Sequence, residues 1–166
     1  MKMKSFFWLA AGFMVLAGSD AAQAEENTAI LTVTVTITSA PCEINNNQVI
    51  DVDFGNSVLT TEVAKGTYEK AINYTLDCSN ADSSKILKMR IEGTGATFDS
   101  TVLQTSVPAL GIKLKANGNV FPLGSDLAFS SMASKPALTA LLVQQSGSRL
   151  PTGDFSAGAT MTVSYQ

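Results

Sequence analysis

Few residues in this chain have side chains suited to chemistry, and their spacing limits what they can do. Asp51-x-Asp53 sets two carboxylates close together, a spacing that would serve acid–base work or Ca²⁺ binding in a suitable loop. Here they sit within Val49–Phe54, where Ile50, Val52 and Phe54 alternate with them. On a strand the two carboxylates therefore share the face opposite the apolar set, which is a solvated face. The chain has no histidine, which removes Ser-His and Cys-His nucleophile pairs and the commonest transition-metal ligand. Gly93-Thr94-Gly95 lacks the third glycine and the following helix of a dinucleotide fingerprint, and no Gly-x-Ser-x-Gly elbow occurs. Asn73-Tyr74-Thr75 matches a glycosylation sequon but lies inside an expected strand. The chain is read as not an enzyme, with no catalytic residue, no cofactor and no metal site expected.

The two cysteines, Cys42 and Cys78, gain their meaning from the start of the chain. Lys2 and Lys4 precede the apolar run Phe6 to Ala17, and Ala22-Gln23-Ala24 has the small-x-small form of a cleavage site. Residues 1–24 therefore read as a signal peptide. The apolar run is shorter than the roughly 18 to 20 residues a membrane span needs. In an exported chain an even cysteine count reads as one disulfide, stapling the fold by roughly 3 to 4 kcal/mol through the unfolded state. Residues 25–166 make about one domain, able to bury roughly two-thirds of the unfolded surface. The full chain carries a net charge of −3 and no basic run, so nucleic acid is not an expected partner.

The remainder reads as short alternating segments separated by Gly, Asn, Ser and Pro, the pattern of an all-β sandwich. Lys70–Cys78 sets Ile72, Tyr74, Leu76 and Cys78 against Asn73, Thr75 and Asp77. Ile86–Glu92 sets Leu87, Met89 and Ile91 against Lys88, Arg90 and Glu92. Gly111–Ala116 sets Ile112 and Leu114 against Lys113 and Lys115, and Asn117-Gly118 directly after it supplies the positive φ angles of a tight hairpin turn. In Leu138–Gln145 the residues Leu138, Leu141, Leu142 and Gln145 also fit a helical spacing; the segment is read as a strand. Phe155, Ala157, Ala159, Met161, Val163 and Tyr165 alternate with small or polar residues up to the last residue of the sequence.

The cleanest alternation lies early, in "TAILTVTVTITSAPC", Thr28 to Cys42. Ala29, Leu31, Val33, Val35 and Ile37 face one way, and Thr32, Thr34, Thr36 and Thr38 the other. One reading makes this the first strand of a complete domain. The other makes it a strand that projects outward to fill a gap in a neighbouring molecule. A subunit left with such a gap exposes an apolar groove and an unpaired edge, and needs a protecting partner.

The segment "APCEINNNQVIDVDFGN", Ala40 to Asn56, resembles the region around the first cysteine of pilus subunits assembled by the chaperone-usher pathway, most closely the minor tip adaptors of P-type pili. "INYTLDC", "LGIKL" and the ending "TGDFSAGATMTVSYQ" fit the same family, so the resemblance spans nearly all of residues 25–166. It implies an incomplete immunoglobulin-like sandwich, the pilin fold, lacking its final strand and completed by donor-strand complementation. The implied organisation is a donor-strand extension over residues 25–39 and a pilin domain over 40–166. Gly153 and Tyr165 then mark the C-terminal strand that a periplasmic chaperone engages, with Phe155, Ala157, Ala159, Met161 and Val163 between them. The implied partners are that chaperone, an outer-membrane usher and neighbouring subunits; the implied location, reached through the periplasm, is a fimbrium on the bacterial surface. Family donor strands carry glycine seven residues before the first cysteine. Val35 stands there, which implies a roomier acceptor pocket or a shifted register. The alternative function is a self-contained immunoglobulin-like adhesive module that recognises sugar or protein through its loops.

Overall fold

The computed structural model describes residues 41–166. The expected signal peptide and the extension bearing Ala29, Leu31, Val33, Val35 and Ile37 lie outside the described residues.

The described chain is all-β. Its strands are β1 (Glu43–Ile44), β2 (Glu69–Ile72), β3 (Leu76–Asp77), β4 (Leu87–Gly93), β5 (Gly95–Ala96), β6 (Asp99–Gln104), β7 (Leu110–Ala116), β8 (Asn119–Val120), β9 (Asp126–Phe129), β10 (Leu138–Gln144) and β11 (Ala159–Tyr165). One α-helical turn, α1 (Thr60–Val63), and two 3-10 turns, Asn45–Asn47 and Met132–Ser134, interrupt them. A large sheet has the order β2-β10-β7-β6-β5, with β8 also on β7; a small sheet has the order β11-β4-β9; β1 and β3 form a separate ribbon. Every pairing is antiparallel.

The alternating segments form strands because one face of each has a core to meet. Leu87, Met89 and Ile91 of β4 join Leu110, Ile112 and Leu114 of β7 and Leu138, Ala140 and Leu142 of β10 in one buried cluster. Met89 and Leu142 are fully buried, and each aliphatic side chain so placed contributes roughly 1.5 to 3 kcal/mol. The ambiguous segment at Leu138 is a strand, paired along its length with β7 from Leu138↔Ala116 to Gln144↔Leu110. The β7–β8 hairpin turns at Asn117 (φ 50°) and Gly118 (φ 80°), as the Asn-Gly pair predicts.

Three expected strands differ from what forms. Lys70–Cys78 is not one strand. The chain leaves the large sheet after Ile72 and joins the ribbon at Leu76, although burial keeps alternating through Tyr74. The Tyr74 hydroxyl donates to the Pro136 carbonyl at 2.6 Å, and burial pushes its pKa up to about 12. Val49–Phe54 alternates in burial but joins no ladder among the described residues. Before it, Asn45, Asn46 and Asn47 all take positive φ, 48°, 51° and 58°, a left-handed turn that asparagine tolerates. The C-terminal strand begins at Ala159 rather than Phe155. Residues 155–158 stand off the sheet because Ser106 holds them: its amide donates to the Ser156 carbonyl at 2.8 Å and its hydroxyl accepts from the Ser156 amide at 3.0 Å.

Gly93 and Gly95 mark the corner where the chain crosses from the small sheet to the large one. A Cβ on Gly93 would lie 2.6 Å from Leu103 Cδ1, and one on Gly95 would lie 2.6 Å from the Ser100 carbonyl oxygen. The glycine pair that fails as a nucleotide fingerprint is a packing requirement.

Candidate functional site

Strand β11 pairs with β4 along one edge, from Ala159↔Gly93 to Tyr165↔Leu87. Its other edge pairs with no strand among the described residues. Beside that edge runs an apolar-floored groove of 1340 Å³. Its floor is core: Ile91 from β4, Leu103 from β6, Leu110, Ile112 and Leu114 from β7, and Ala140 from β10. One rim is residues 42–58, in which β1 pairs with β3 and Val49–Phe54 joins no ladder among the described residues, and the other is residues 150–163. The two rims run in opposite directions, since Phe54 meets Phe155 at one end while β1 lies against β11.

The structure brings most of the expected C-terminal residues to this groove. Gly153, Phe155, Ala157, Ala159, Met161 and Val163 all line it. Val163 is buried, Phe155 and Met161 are half-buried, and Ala157 and Ala159 are exposed. Gly153 sits ahead of the strand with φ 131°, a conformation that favours glycine. Tyr165 lies elsewhere: its hydroxyl accepts from the Asp82 amide at 2.9 Å, and the Lys85 ammonium lies 5.0 Å from its ring centroid.

Cys42 and Cys78 form the expected disulfide. It extends the β1–β3 register, Glu43↔Asp77 and Ile44↔Leu76, by one further pair. Because Cys42, Glu43 and Ile44 line the groove, the disulfide fixes the start of one rim.

Asp51 and Asp53 lie on that rim and are exposed. Asp53 Oδ1 accepts from the Gly55 amide at 2.7 Å, which is turn geometry. Among the described residues no group of three or more acidic, Cys or His side chains is placed to hold a metal ion. The electrostatic cluster lies on the outer face of the small sheet, where Arg90 Nε and Lys88 Nζ donate to Asp126 at 2.6 and 3.1 Å. These hydrogen bonds, with Arg90 the larger contributor, bring the Asp126 carboxyl down to about 2. On the large sheet Thr139 and Lys115 donate to Glu69 and lower its pKa in the same way.

The sequence reading missed the contact between Phe54 and Phe155, with ring centroids 6.1 Å apart. Each phenylalanine was placed in an apolar set, but no local signal pairs residues so far apart in sequence.

A two-sheet sandwich with a groove along its last strand defines the pilin type of immunoglobulin-like fold. Residues 31–166 match the Fimbrial protein family, and the chain belongs to that family: it is a fimbrial subunit, a structural protein and not an enzyme. It is 34% identical over 130 residues to the fimbrial-like protein YfcR of Escherichia coli strain K12, covering 76% of this chain and 74% of YfcR. It is 32% identical over 137 residues to YfcQ of the same strain, covering 79% and 83%. Among solved structures it is similar to the P pilus rod subunit PapA, with TM-score 0.58, 21% identity and coverage of 84% of this chain and 100% of that one. It is similar also to the P pilus adaptor subunit PapF, with TM-score 0.54, 24% identity and coverage of 79% and 100%.

Proposed function

We propose that the chain links neighbouring subunits of a pilus by donor-strand exchange. The observation that carries this reading is the groove beside β11: a strand edge that pairs with no strand among the described residues, next to an apolar floor, is what an added strand needs for ladder bonds and side-chain burial. The self-contained adhesive module, in contrast, calls for a domain whose edges are already satisfied.

The strand offered to the next subunit is the extension over residues 25–39, with Ala29, Leu31, Val33, Val35 and Ile37 entering that subunit's groove. Their burial contributes at about 25 cal/mol per Å². Val35 in place of glycine calls for a roomier acceptor or a shifted register. Before assembly a periplasmic chaperone covers the groove and engages the strand from Gly153 to Tyr165, and an outer-membrane usher exchanges it for a neighbour's strand. The fibre stands on the cell surface. A tip or adaptor position is supported by the first-cysteine segment, which resembles tip adaptors, while the fold is about as similar to a rod subunit as to an adaptor.

The test is Val33→Asp, which places a charge where the acceptor is apolar. The variant should still reach the periplasm and bind its chaperone but enter fibres at a small fraction of the wild-type level. Wild-type incorporation would contradict the assignment.

A further inference from the structure

The groove has a charge as well as a shape. The charged residues on its rims are Glu43, Asp51, Asp53 and Asp154, all exposed; no Lys or Arg among the described residues lines it. None of the four is in an ion pair among the described residues. They stand at both ends. Asp53 and Asp154 adjoin the Phe54–Phe155 contact, and Glu43 lies in β1, at the opposite end of the same rim. The Glu43 carboxylate accepts from Asn47 Nδ2 at 2.6 Å, and the Asp53 carboxylate from the Gly55 amide. Neither contact neutralises the charge.

A strand lying in the groove brings its flanks beside these carboxylates, whichever way it runs. Exposed like charges at such range repel and opposite charges attract, each pair modestly, and salt screens both over about 10 Å at 0.1 M. The chain's own extension is a poor match. Between residues 25 and 41 its charged residues are Glu25 and Glu26, so a second copy would add two negative charges to a negative rim.

We propose that the groove is built for a strand with basic flanks, supplied by a different protein, and that its rim charge selects against a second copy of this chain. The inference rests on the strand-acceptor reading above. It makes the chain a junction between unlike subunits rather than a repeating unit, because electrostatic complementarity sets partner choice where apolar burial is equal.

The experiment uses two labelled peptides, each present while the exported chain refolds from denaturant, so that a strand is available as the groove forms. One has the sequence of residues 25–39; the other is the same peptide with Glu25→Lys and Glu26→Lys, leaving every apolar position unchanged. At low ionic strength the lysine peptide should bind about tenfold more tightly, the gap closing toward equality near 0.5 M salt as screening shortens. The chain variant Glu43→Gln/Asp51→Asn/Asp53→Asn/Asp154→Asn, which neutralises both ends of the groove and keeps the oxygen that accepts from Gly55, should lose most of that discrimination. Equal binding of the two peptides at low salt overturns the charge selection and leaves the groove as an acceptor. Discrimination that persists when all four rim carboxylates are neutralised also overturns it, since the charge effect then lies elsewhere on the surface. Binding of neither peptide overturns the acceptor reading itself, and the inference with it.

Discussion

Phe54 and Phe155 meet ring to ring across the mouth of the groove, their centroids 6.1 Å apart and their planes inclined by 48°. They are unequally held. Phe155 precedes Ser156, which Ser106 anchors, whereas Phe54 ends a stretch without ladder bonds among the described residues and is followed by Gly55 at φ 80°. The contact shields the apolar floor at that end. Tilted aromatic pairs contribute about 0.5 to 1.5 kcal/mol beyond their burial. Phe54→Ala and Phe155→Ala should each destabilise the fold by about 1 to 2 kcal/mol, and the double variant should fall short of their sum by about the pair's own contribution. Denaturant unfolding of the four proteins measures this; strict additivity would show that the rings do not interact.

The disulfide is the second constraint on the groove. Cys42 and Cys78 are 36 residues apart in sequence, and opening a loop of that size costs about 3 to 4 kcal/mol in the chain-entropy model. Cys42→Ser/Cys78→Ser should lower the unfolding midpoint accordingly. It should also expose the Cys42–Ile44 rim to limited proteolysis before the rest of the domain. Coincident cleavage of rim and core would indicate that the disulfide stabilises without positioning.

Acid should find one identifiable weak point on the small sheet. The Asp126 carboxyl has a pKa of about 2 in the folded chain, below its ordinary 3.8, because Arg90 and Lys88 donate to it. A lowered acid favours the folded state while ionised. Its contribution is complete above the ordinary value and is lost as pH falls from there through about 2. The site is open to water, so the contribution is small and salt-sensitive. Melting temperatures of wild type and Asp126→Asn at low salt should differ near neutral pH and converge toward pH 2. A constant difference down to pH 2 would remove the assignment.

In the core, Met89 is fully buried at the centre of β4, between β11 and β9. Met89→Ala should cost about 2 to 5 kcal/mol, read from denaturant unfolding. A cost under 1 kcal/mol would mean that the two sheets close over the space.

What the sequence disclosed follows from how local each cause is. The alternations in β4 and β7, the Asn117-Gly118 turn and the cysteine pairing are set by neighbouring residues and by compartment, and all were legible, whereas β10 was read as a strand against a competing helical spacing that its pairing with β7 decides. In β6 the signal fails because Val102 and Leu103 are adjacent yet both buried. Leu103 enters the core, and Val102 packs over Gly111 on the other face of the sheet, its Cγ1 2.5 Å from where a Cβ would stand. The break after Ile72 was hidden because Tyr74 keeps the period while the strand changes partners. The left-handed turn at Asn45–Asn47 rests on local φ preferences that a polar triplet does not announce. Of the candidate site, the C-terminal rim was legible from its alternation and the family resemblance. The opposite rim was read as an ordinary strand, since burial alternates along Val49–Phe54 whether or not a ladder forms.

The central claim is that this fold is completed by a strand from another molecule. The direct measurement is thermal unfolding with size analysis of the exported chain, prepared without accompanying proteins and compared with and without an added peptide of residues 28–38. The account predicts a poorly recovered or aggregating protein whose unfolding temperature rises when one equivalent of peptide binds. A monomer with one cooperative transition that the peptide leaves unchanged would contradict it.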